Sequence, residues 1–108
     1  MTLGKKMKSS VQQLADWFSK QCDGDWEHGS GFTIATLDNP GVSVDIALRG
    51  TSLEAVPFEE KKEAFESQTD WMICRRTDEG FEGRGAPGRL EDIIREFLSW
   101  AQKNENGA

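Results

Sequence analysis

The sequence predicts an α+β fold: a mainly antiparallel sheet of four to five strands, with an N-terminal and a C-terminal helix packed on one of its faces. Two observations carry this. Apolar residues recur at helical spacing near both ends of the chain: Val11, Leu14, Ala15, Phe18 and Cys22 at the start, and Leu90, Ile93, Ile94, Phe97, Leu98 and Ala101 at the finish. Between them the period changes to two, most cleanly where Val42, Val44, Ile46 and Leu48 alternate with Ser43, Asp45, Ala47 and Arg49.

The elements follow in order. Ser9 or Ser10 is the N-cap of a first helix over 11–22, with Trp17 at the edge of its apolar stripe, and Cys22, Asp23 and Gly24 end it. Phe32, Ile34 and Thr36 alternate with Thr33, Ala35 and Leu37 in a strand that turns at Asn39-Pro40-Gly41. Proline there presets φ and glycine accepts a positive φ, the demands of a type II turn. Arg49-Gly50-Thr51-Ser52 breaks the second strand. From Pro57 to Gln68 the residues leave helix and strand open, because Pro57 before Phe58, Lys61, Lys62 and Phe65 also suits a short helix. Trp71, Ile73 and Arg75 alternate with Met72, Cys74 and Arg76 in a further strand, turned by Asp78-Glu79-Gly80 into Phe81 to Gly85. A last helix over 90–101 follows the Gly85-Ala86-Pro87-Gly88 loop. Phe18, Ile34, Val44, Ile46, Trp71, Ile73, Ile94, Phe97 and Leu98 form the expected core. Glycines 83, 85 and 88 are expected at bends of the sheet edge and at the entry to the last helix.

A length of 108 residues fits one domain over 9–102, with flexible segments at 1–8 and 103–108, and it buries enough surface to fold without metal or disulfide. Cys22 and Cys74 form no C-x-x-C pair and read as free thiols in a reducing compartment. No apolar run approaches the ~18 residues of a membrane span, and Met1 to Lys8 lacks the apolar region of a signal peptide, which places the chain in the cytoplasm and away from membranes. Net charge is -6; Lys5, Lys6 and Lys8 supply +3 with no acid among the first eight residues, so the remainder stands at -9. Such a field disfavours nucleic acid and favours a basic protein partner, although plain soluble proteins are often acidic as well.

The residues with chemistry to offer cluster in Cys22-Asp23-Gly24-Asp25-Trp26-Glu27-His28, three carboxylates, a large aromatic and the only histidine within a loop. Asp23, Asp25 and Glu27 begin like a calcium loop, but the sixth position is His28 and the twelfth Ile34, where glycine and a bidentate glutamate are required. His28 has no nucleophile at a recognisable spacing. Cys74-Arg75-Arg76-Thr77-Asp78-Glu79-Gly80 has a superficial likeness to the anion loops of sulfurtransferases and cysteine phosphatases, yet Cys74 sits in a strand and the arginine position is Gly80. Gly83-Arg84-Gly85-Ala86-Pro87-Gly88 lacks the lysine and hydroxyl of a phosphate loop. Neither cofactor nor metal is expected. Trp26 either pins its loop to the domain or anchors a partner.

The order and spacing of the first helix, the Cys22–His28 block, Leu37 to Gly41, Pro57-Phe58-Glu59-Glu60, Asp70-Trp71, Phe81-Glu82-Gly83 and Leu90-Glu91-Asp92-Ile93 resemble the immunity protein 53 family of bacterial polymorphic toxin systems over roughly residues 10–101. The resemblance implies a strand from about Glu60 to Ser67. It also implies a non-enzymatic protein that binds and neutralises a cognate toxin. The expected partner surface is Asp23, Asp25, Trp26, Glu27, His28 and Asp38. The rival readings are a small sulfurtransferase-like enzyme using Cys74 and a housekeeping ligand-binding α+β domain.

Overall fold

The structure, a computed structural model, describes residues 8–38, 40–64 and 66–106. The expectations for residues 1–7 and 107–108, for Asn39 in the turn and for Phe65 lie outside them. Helix α1 (Ser10–Gln21) starts where the Ser9 hydroxyl accepts the Gln12 N–H at 3.1 Å. A single turn, α2 (Trp26–Gly29), leads into β1 (Phe32–Leu37) and β2 (Gly41–Ala47). Then come β3 (Lys61–Glu63), β4 (Met72–Arg76), β5 (Gly80–Gly85) and, through a short 3-10 turn at Pro87–Arg89, α3 (Leu90–Asn106). All strand pairs are antiparallel in the order β1-β2-β5-β4-β3, so two hairpins lie side by side with β2 and β5 joined at the centre.

Register decides which side chains face the helices. Val42, Val44 and Ile46 stand opposite Gly85, Gly83 and Phe81, which in turn stand opposite Met72, Cys74 and Arg76. α3 lies on this face against β2, β5 and β4. It comes close because β5 offers glycine: a Cβ on Gly83 would sit 2.3 Å from Ile93 Cγ2. Gly83 and Gly85 therefore belong to the central strand and serve helix packing, correcting their expected place at an edge bend. α1 rests beside α3 on the same side, with Trp17 edge-on to Phe97 at 5.0 Å and Phe18 edge-on to Phe32 at 5.8 Å. Phe97 is the hub, touching Phe81 at 5.4 Å and Trp100 at 6.0 Å between ring centroids. Edge-to-face pairs of this kind add to the gain from burial.

Several expectations change. Trp71 and Ile73 are only half-buried, whereas Met72 and Cys74 are fully buried. Both alternating sets begin apolar, and pairing to β5 turns the even-numbered set towards α3. Ile34 is on the helix side but 36% exposed, because β1 is an edge strand beyond the reach of α3. Phe18 is half-buried against the core. Of the strand expected from Glu60 to Ser67 only β3 forms, and Ala64 at φ 48 ends it in the left-handed region. Gly41 is not the positive-φ residue of a type II turn; it opens β2 opposite Leu37, where a Cβ would meet the Gly85 carbonyl at 2.8 Å.

α3 runs past residue 101 because its final turns have partners. Glu105 accepts the Trp17 indole N–H at 3.2 Å and the Ser52 hydroxyl at 3.1 Å. The connection from β2 to β3 is held in a similar way. Leu53 is buried in the core, the Arg76 guanidinium donates to the carbonyls of Val56 at 2.9 Å and Glu54 at 2.6 Å, and the Trp100 indole donates to that of Pro57 at 2.9 Å. Arg89 closes the far side, pairing with Glu63 at 2.9 Å, Asp92 at 3.1 Å and Asp70 at 3.2 Å.

Candidate functional site

The acidic loop lies at the end of the sheet where β1 begins and β2 finishes. Gly24 at φ 99 turns the chain out of α1. An Asp23 carboxylate oxygen accepts the N–H groups of Asp25 and Trp26, both at 2.9 Å, and Glu27 reaches back to those of Asp23 at 3.0 Å and Gly24 at 2.9 Å. The exchange is that of a capping box displaced along the turn. It holds both carboxyls below their usual range: Asp23 through the Trp26 and then the Asp25 N–H, Glu27 through its own N–H and those of Asp23 and Gly24.

Trp26 fastens the loop to the rest of the fold. Its indole N–H donates to the Arg49 carbonyl at 2.8 Å, and its ring meets Trp17 at 6.2 Å and Phe18 at 5.7 Å. Gly50, at φ 82, passes beneath it, and a Cβ there would approach the indole at 3.1 Å. Asp25 and His28 remain exposed, and the Asp25 carboxylate has no hydrogen bond or ion pair among the described residues. Asp38 is exposed too, but it follows β1 and so stands at the opposite end of that strand, about 20 Å along from Phe32. Of the six expected surface residues, five are brought together and Asp38 is apart.

Beside the loop, at the same end of the sheet, lies an open depression of about 910 Å³, lined by Ala15 and Phe18 of α1 together with Ser30, Thr33, Asp45, Thr77, Glu79 and Glu82. Glu82 pairs with Arg75 at 2.6 Å and with Arg84 at 3.3 Å, and Arg84 also pairs with Asp45 at 3.1 Å. Glu79 is exposed and in no ion pair among the described residues. The sequence reading missed these three acids, though the alternation of β2 puts Asp45 on the face opposite Val44 and Ile46.

The nucleophile candidate has the wrong surroundings. Cys74 is fully buried beneath α3, and burial pushes its thiol up to about 12, the reverse of what an attacking thiolate needs. Cys22 is also raised, first by burial and then by the charges of Glu27 and Asp23. Among the described residues no group of three His, Cys, Asp or Glu side chains is placed to hold a metal, and no helix is long and apolar enough to cross a membrane.

Residues 11–102 match the sequence profile of immunity protein 53. The chain belongs to the immunity protein 53 family. The match takes in most of both long helices and all five strands, so the acidic loop, the depression and the free edge of β1 all fall within the immunity protein 53 region. No curated protein and no solved structure matches the chain.

Proposed function

We propose that this chain is an immunity protein that binds a cognate toxin and blocks it in the bacterial cytoplasm, with no catalysis of its own. The family match across residues 11–102 carries the reading. The placement of charge supports it: Asp25, Asp78 and Glu79 are exposed acids in no ion pair among the described residues, and all sit at the end of the sheet that carries the loop. They suit a basic toxin domain, whose capture they would accelerate, and they would repel nucleic acid. Within the proposed surface of Asp23, Asp25, Trp26, Glu27, His28 and Asp38 the labour divides. Asp23, Glu27 and Trp26 keep the loop rigid, while Asp25, His28 and Asp38 face outward. The buried, protonated Cys74 argues against the sulfurtransferase reading.

The test uses the toxin encoded beside this chain's gene. The wild-type protein should abolish its activity. Asp25→Lys combined with Asp38→Lys should slow association by about tenfold or more at low salt and flatten its salt dependence. The melting temperature should barely move, because neither carboxylate has a hydrogen bond or ion pair to lose among the described residues. A wild-type chain that leaves the toxin active, or sulfur transfer that disappears in Cys74→Ser, would overturn the proposal.

A further inference from the structure

The two edges of the sheet are built to opposite rules. β3 is three residues of charge, Lys61-Lys62-Glu63, ended by the turn at Ala64; Lys61 is engaged by Glu96 at 2.7 Å and Glu63 by Arg89 at 2.9 Å. Short, charged edges discourage a further strand from adding. β1 has none of these guards. It is six residues, Phe32-Thr33-Ile34-Ala35-Thr36-Leu37, with no charge, no proline and an unbroken register to β2. Thr33, Ile34, Ala35 and Thr36 are all exposed.

Its backbone shows what it would accept. The Ala47 N–H donates to the Gly31 carbonyl at 2.8 Å, which makes that pair a hydrogen-bonded one. Such pairs alternate along an antiparallel ladder, so Thr33, Ala35 and Leu37 turn their polar groups to β2, and Phe32, Ile34 and Thr36 turn theirs outward. Among the described residues none of these outward N–H and C=O groups has a partner. Donors and acceptors repeating roughly every 7 Å along a straight edge are the complement of one thing, an extended polypeptide.

We propose that β1 is a strand-addition site, and that an extended, basic segment of the toxin pairs with it as a sixth strand. This rests on the toxin-binding reading. The flanking chemistry selects the segment. On the helix side the exposed Ile34 calls for an apolar neighbour; on the other side small Thr33 and Ala35 leave Asp45, one strand further in, half-exposed beside its ion pair with Arg84 and open to a second, long basic side chain. The acidic loop stands at one end of the edge and Asp38 at the other. A second copy of this chain would bring the same acids to both ends of an antiparallel pair, and that repulsion favours a basic partner over self-association.

The experiment compares the full chain with Thr36→Pro and Ile34→Lys in binding to the toxin domain encoded beside it, and follows amide exchange at Phe32, Ile34 and Thr36. Proline at position 36 removes an outward N–H and leaves the β1–β2 ladder its own donors. The three amides should exchange quickly in the free protein and at least about a hundredfold more slowly in the complex. Thr36→Pro should weaken binding by about a hundredfold with little change in melting temperature, and Ile34→Lys should weaken it less. Fast exchange within a tight complex, or full affinity in both variants, would overturn the edge assignment and leave the toxin reading standing. Absence of any wild-type complex would overturn both. A wild-type homodimer that Thr36→Pro dissolves would give the edge to a second copy and overturn the proposal.

Discussion

The face of the sheet under the helices and the face left open are held by different physics. Under the helices, β5 presents Phe81, Gly83 and Gly85 to α3, and the fit is one of shape: Ile93 occupies the space over Gly83, and Phe97 is ringed by Trp17, Phe81 and Trp100. On the open face the same strand presents Glu82 and Arg84, joined to Asp45 and Arg75 by ion pairs that water screens. Shape complementarity in a dry core tolerates little change, whereas half-exposed charges can be rearranged at small cost to the fold. The stability of the molecule therefore resides on the first face, and the second, with the β1 edge and the acidic loop beside it, is available for recognition.

That contrast breaks most visibly at Phe97. Phe97→Ala should cost about 3–5 kcal/mol in denaturant unfolding, since it removes a fully buried ring and leaves a cavity at the hub of the core. Trp26 sharpens the boundary between the two regions. Trp26→Ala removes a half-buried ring and the hydrogen bond to Arg49, and about 2 kcal/mol should be lost. A melting curve with no shift would mean that the indole does not secure the loop. Arg84→Ala on the open face should change stability by less than about 1 kcal/mol. A loss as large as that of Phe97→Ala would erase the distinction between the faces.

The smallest effect is a local response to pH. Asp23 and Glu27 have folded-state pKa values below their unfolded ones, so their contribution is complete above the ordinary carboxylate range and is lost as the pH falls through the lower folded values. Below about pH 4 the 23–28 loop should loosen before the sheet does. The Trp26 indole proton, followed by NMR, should report this ahead of the Val44 and Phe81 amides. Simultaneous loss of all three would show that the loop has no independent stability.

Much of the fold was legible because its periodicities are clean. The last helix pairs Ile93 and Ile94 with Phe97 and Leu98, and β2 alternates without a fault. β4 was misread because Trp71 and Ile73 are as apolar as Met72 and Cys74, so alternation names two faces without ranking them; a one-residue slip exchanges them, and only the pairing to Gly83 and Gly85 decides. The glycines of β5 looked like bends, since a sequence does not reveal that a helix will lie over them. In the loop the acids were evident, but Asp23 and Glu27 satisfy their own backbone, and composition cannot distinguish an acid turned inward from one, like Asp25, turned out. Asp38, near in sequence, is separated from the loop because an extended strand covers distance quickly.

The central seam also sets a tempo. The two hairpins, β1–β2 and β4–β5, close over short turns, and such turns form within microseconds. Joining them is another matter, because Val42 must find Gly85, 43 residues away, before α3 can settle across both. Loop-closure entropy opposes that meeting until the buried contacts over Gly83 compensate, so docking of one hairpin on the other is the expected bottleneck of folding. A larger side chain at Gly83 would meet Ile93 of α3, which settles after the seam has closed, and would therefore act chiefly on the unfolding rate. For a chain whose proposed task is to disarm a toxin, protection can begin only once that seam has closed.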